Sequence, residues 1–128
     1  MKQLLTVLSL TLLFSACNNN AREEQPDHNI VGEWDAHLDN QGKPYLVIGR
    51  FKDNGAYDAF IDGKLVVSGK YRTVGDSIYF RDGNCDMAYE GLYKLTYYKD
   101  SVSFKMLQDT CQERIHGSNG VTLKRVKK

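Results

Sequence analysis

Residues 69–114 contain one pattern twice. Gly69-Lys70-Tyr71, Asp76-Ser77-Ile78-Tyr79-Phe80 and Cys85 are answered by Gly91-Leu92-Tyr93, Asp100-Ser101-Val102-Ser103-Phe104 and Cys111. Each copy reads as a β-hairpin: a strand opening on Gly-x-Tyr, a turn at Gly75-Asp76 or Lys99-Asp100, then a strand of alternating apolar residues that ends near a cysteine. Two such copies in succession make adjacent hairpins of one meander.

Working outward, the same period of two runs through the rest of the chain. Gly32, Trp34, Ala36 and Leu38 share one face, with Glu33, Asp35 and His37 on the other, and Asn40-Gln41-Gly42 ends the strand. Tyr45, Val47, Gly49 and Phe51 follow up to a turn at Asp53-Asn54-Gly55; Tyr57, Ala59 and Ile61 follow up to Asp62-Gly63. Leu65, Val67, Gly69 and Tyr71 continue inward, then Ile78 and Phe80, then Tyr93, Leu95 and Tyr97, then Val102, Phe104 and Met106. Val121, Leu123 and Arg125 come last, after Asn119-Gly120. This is about eight strands at the spacing of a sandwich or barrel. No stretch of residues 17–128 keeps an i, i+3, i+4 apolar pattern between turn signals, so no helix of useful length is expected. Short connections favour up-and-down order, and eight such strands close most economically as an antiparallel barrel, because closure removes exposed edges.

The chain of 128 residues suffices for one domain. Residues 1–16 are expected to stand apart from it as a signal peptide, with Lys2 as a basic n-region, Leu4 to Phe14 as an apolar h-region and Ser15-Ala16 as the small residues of a cleavage site. Phe14-Ser15-Ala16-Cys17 resembles the lipobox of bacterial lipoproteins, which implies lipidation of Cys17, with palmitate as the acyl chain, and a location in the cell envelope at the outer membrane. Residues 17–29 are polar and aperiodic and read as a flexible tether, with Arg22-Glu23-Glu24 similar to a surface-export signal; residues 30–128 form the barrel domain. Without Lys2 the 17 basic residues become 16, equal to the 16 acidic ones, and this neutrality argues against nucleic acid as a partner. The expected partners are the membrane, through Cys17, and a small hydrophobic ligand; oligomeric state is left open. With one cysteine used by lipid, Cys85 and Cys111 are left to pair as a disulfide at one rim of the barrel.

Gly32-Glu33-Trp34 on the first strand resembles the Gly-x-Trp signature of lipocalins and lipocalin-like domains. The resemblance implies that Trp34 plugs one end of the barrel, with Arg125 of the last strand lying over its indole in a cation–π contact. Gly91-Leu92-Tyr93 and Asp109-Thr110-Cys111 leading to Arg114 resemble the small bacterial lipocalin-like domains that carry one disulfide. What the resemblance implies is a binding cavity at the end away from Trp34.

Catalytic and metal constellations are weak. Asp82-Gly83-Asn84-Cys85-Asp86 alternates oxygen ligands as a calcium loop begins, but lacks its central glycine and terminal glutamate, and reads better as a turn. His28, His37 and His116 are scattered, and the serines fall on outward or turn positions, so no metal, no cofactor and no catalysis are expected. Inward tyrosines are the remaining signal. Tyr45, Tyr57, Tyr71 and Tyr93 combine an aromatic wall with a hydroxyl and are the candidate ligand-binding residues, set against the alternative that such rings simply fill the interior. The expected function is non-covalent binding of a small apolar ligand. Two other readings stand beside it: an inhibitor of a lysozyme or protease, and a purely structural envelope lipoprotein.

Overall fold

The computed structural model describes residues 26–127. The expected signal peptide 1–16, the lipidation site Cys17 and the Arg22-Glu23-Glu24 run lie outside the described residues. The remainder folds as β1 (Gly32–Asn40), β2 (Lys43–Phe51), β3 (Ala56–Ile61), β4 (Lys64–Val74), β5 (Ser77–Asp82), β6 (Gly91–Tyr97), β7 (Ser101–Gln108), α1 (Gln112–Ser118) and β8 (Thr122–Arg125). Each strand pairs antiparallel with the next, and β8 returns to β1, so the sheet is a closed eight-stranded up-and-down barrel. The expected turns fall where the sequence places them. At two of these turns, Gln41 and Asp62 take positive φ (53° and 50°) ahead of a glycine, the type I′ geometry whose twist suits a two-residue hairpin.

Two expectations need correction. Strict alternation puts Leu65 inward, but a bulge opposite Ala59–Phe60 pairs Ala59 with Val67 and Phe60 with Leu65, leaving Val66 as the extra residue. An unpaired residue flips the phase of the strand, and Leu65 is 53% exposed as a result. The second correction is α1, where no helix was expected. Its seven residues make two turns, shorter than any window in which a 3.6-residue period can be recognised. The helix is held from outside: its first residue follows a cysteine bridged to the β5–β6 loop, and its one buried residue is Arg114.

One end of the barrel is sealed. Trp34 is buried, and its Nε1 donates to the carbonyl of Ile30 at 2.8 Å. The Arg125 guanidinium lies 4.2 Å from the indole centre and donates to the carbonyls of Val31 (3.2 Å) and Asn29 (2.7 Å). Gly32 makes this possible, because its φ of 131° suits glycine and a Cβ there would press on Arg125 Nη1. The segment expected as tether is already seated before Ile30: the His28 ring stacks on Tyr97 at 4.7 Å, with Nδ1 3.0 Å from Asp76 Oδ1. Above Trp34 come Ile78, Leu95 and Val102, all buried, and then a layer of rings. Phe51 stacks with Tyr57 and Phe104 at 6.0 and 6.4 Å, while Phe80 meets Tyr57 edge-on at 5.1 Å. Ring pairs at these separations add to what burial alone contributes.

Candidate functional site

Above the ring layer the barrel is hollow. A cavity of about 410 Å³ opens at the end opposite Trp34. Phe51, Tyr57, Phe80 and Phe104 form its floor; Leu38, Val47 and Ala59 form apolar walls. Gly49 lies between them, where Phe51 and Leu123 pack closely against its backbone. At the mouth the β3–β4 hairpin contributes Ile61 and Val66, both partly exposed, and α1 leans over the opposite side with Glu113, His116 and Ser118. The volume falls at the lower end of the range for small-molecule sites.

The four candidate tyrosines divide. Tyr45 and Tyr57 line the cavity, whereas Tyr71 and Tyr93 do not. Tyr71 meets Phe51 edge-on and donates its hydroxyl to the Lys52 carbonyl. It borders instead a shallow outer cleft of about 170 Å³ beside Arg72 and Glu90. Tyr93 is fully buried behind Phe80, with its hydroxyl 2.6 Å from Asp109. Inward phase was read correctly for all four, but depth along the barrel depends on tilt and stagger, which alternation does not encode.

One wall of the cavity is charged, and this was not legible as a site. Arg114 donates from Nη1 to Asp82 Oδ2 at 2.9 Å, and from Nε and Nη2 to the two oxygens of Asp109 at 2.7 and 2.8 Å. The guanidinium and both carboxylates are almost wholly shielded from solvent. Tyr57 donates its hydroxyl to Asp82 at 2.9 Å, and the Asn84 amide donates to the other oxygen at 3.1 Å. Buried charges at this depth persist only when paired and fully hydrogen-bonded, and here the chain Tyr57–Asp82–Arg114–Asp109–Tyr93 leaves none without a partner. Burial opposes ionisation of Asp109, but the Arg114 guanidinium, the Tyr93 hydroxyl and the Cys111 amide outweigh it and hold its carboxyl below the usual range. Burial, then the neighbouring carboxylates, push the Tyr57 and Tyr93 phenols upward.

The repeat explains how the network is assembled. Each copy ends with an aspartate two or three residues before its cysteine, Asp82 before Cys85 and Asp109 before Cys111. The Cys85–Cys111 disulfide, with Cα atoms 5.9 Å apart, draws the two copies together as expected, and Arg114 of α1 lies between their carboxylates. Gly91 is needed for the fit: a Cβ there would collide with Asp109 and come within 2.7 Å of Arg114 Nε. The paired Asp-to-Cys spacing and the arginine three residues after the second cysteine are the signal that could have located the cluster.

His28, His37 and His116 lie respectively at the sealed end, on the outer face of β1 and at the mouth. Among the described residues no three His, Cys, Asp or Glu side chains gather as a metal site, and no helix is long and apolar enough to cross a membrane. No family model, no curated protein and no solved structure matches the chain.

Proposed function

We propose that this protein is a lipid-anchored lipoprotein of the cell envelope, held at the outer membrane through Cys17, whose lipocalin-like barrel binds a small, mostly apolar molecule without catalysing a reaction. The observation that carries this reading is the cavity of about 410 Å³ above the aromatic floor, open at one end while Trp34 and Arg125 seal the other. Apolar walls with a few polar groups at one side are what a small-molecule site needs: the walls supply the hydrophobic driving force and the polar groups set orientation. At about 30 Å³ for a water-sized group, the space takes roughly a dozen heavy atoms.

Native mass spectrometry of freshly purified protein, followed by solvent extraction, tests the reading together with a thermal-shift panel of fatty acids, fatty alcohols, alkyl and aryl amines and short isoprenoids of the size the space takes. The expected result is a retained molecule or at least one compound that raises the melting temperature by mass action. Val47→Trp, which fills the cavity from its wall, should abolish the shift while leaving the fold intact. Absence of both a retained molecule and any shift transfers the function to the outer loops, as in an inhibitor of a lysozyme or protease.

A further inference from the structure

The charged wall says which end of a ligand the cavity accepts. Arg114 is the one guanidinium or ammonium group lining the cavity among the described residues, and each of its three nitrogens already donates to a carboxylate oxygen. It stands between two aspartates. With Asp109 held in its ionised form and Asp82 accepting from Arg114, Tyr57 and the Asn84 amide, the buried triad carries one more negative charge than positive. Glu113, the residue just before the triad's arginine, lines the same mouth and makes no ion pair among the described residues. Asp58 also borders the cavity, but its carboxylate is turned to the outer face, where it meets Lys52 at 3.1 Å. The polar side of the cavity therefore presents acceptors and net negative charge, and its strongest donors are spent.

We infer that the molecule held here is an amphiphile whose polar end is a positively charged hydrogen-bond donor, an alkyl or aryl amine, and that carboxylic acids of the same size are disfavoured. This rests on the ligand-binding reading above and specifies the chemistry of that site. An incoming carboxylate would have to strip Arg114 from Asp82 or Asp109, leaving one of them buried without its partner. An ammonium meets unoccupied lone pairs on Glu113 and the net field of the triad. At protein-like dielectric, one net charge a few ångströms away changes the affinity of a singly charged group by about tenfold or more.

The test uses three probes of one length that the cavity can hold, decylamine, decanol and decanoate, titrated into the folded chain at pH 8 and low salt below their micelle concentrations. Binding is read by calorimetry and by tyrosine fluorescence. Decylamine is expected to bind about tenfold or more tightly than decanoate, with decanol between, and the ratio should narrow at high salt as screening sets in. Glu113→Gln, at an exposed position on α1, should narrow the ratio of decylamine to decanoate affinity, and a ratio unchanged by the substitution counts against Glu113 as the group that meets the ammonium. Decanoate binding as well as or better than decylamine overturns the charge inference and leaves the cavity reading standing. Failure of all three to bind, together with an unchanged melting temperature in the wider panel, overturns both.

Discussion

Arg114→Leu removes the guanidinium and strands two buried carboxylates, the situation in which breaking a buried ion pair costs about 3–5 kcal/mol. Urea denaturation should show a loss of that size, with an exposed Arg50→Leu control, whose partner Glu33 is solvated, changing little. The same network sets the response to pH. Asp109 has its folded-state carboxyl depressed, so its contribution is full above the unfolded value near 4 and is lost as pH falls through the folded one; stability should drop below about pH 4. The tyrosines act at the other limit. Tyr57 and Tyr93 are raised by burial and then by their carboxylate neighbours, and burial with help from Asp76 pushes Tyr97 up to about 12. Groups raised in this way contribute fully below their unfolded value near 10 and lose that contribution as pH rises past it, so unfolding should set in above about pH 10. An absorbance titration should show these phenols ionising together with loss of circular dichroism, after the exposed tyrosines. At this scale the Trp34–Arg125 contact was legible through the resemblance of Gly32-Glu33-Trp34 to the Gly-x-Trp signature, with Arg125 standing in the inward phase of the last strand. The Asp82–Arg114–Asp109 triad was not, since it joins residues from a strand end, a loop and a helix that alternation does not relate.

Strands and turns were the most legible elements, because several hairpins carry their own punctuation: Gly42, Asp62-Gly63 and Gly75 mark turns by residues suited to positive φ. What the sequence concealed were the departures from period two. The bulge at Val66 looks like uninterrupted alternation shifted by one position, and α1 is too short to declare itself. The helix owes its position to the disulfide at Cys111 just before it and to its own Arg114, which ties it to Asp82 and Asp109. Replacing Cys85 and Cys111 by serine should therefore cost about 3–4 kcal/mol in the chain-entropy account of a loop of this span, with a sequence separation of 26 residues. Denaturant titration of the oxidised protein against the double variant measures it. Hydrogen exchange should locate the loss: protection should fall first in α1 and the loop between β5 and β6, while β1 and β2 stay protected.

For the whole molecule, the closed barrel was legible as soon as eight short strands followed one another without a long crossover, because the up-and-down order leaves two free edges that only closure removes. The cavity was implied by the resemblance, but the inward rings by themselves did not decide it. Whether a barrel of this size is filled or hollow depends on how far its large side chains lie along the axis, and here Phe51, Tyr57, Phe80 and Phe104 gather at mid-height and leave the upper part open. Both ends of the described chain leave the barrel at the sealed base, where Arg125 pairs with Trp34 and the Val126 amide donates to the Glu33 carbonyl. Immobilisation or a reporter fused at either terminus would thus hang the barrel base-down, with its mouth free for sensing in solution. A lipid at Cys17 would join the barrel to a bilayer by that same sealed end, leaving the mouth as the end remote from the point of attachment.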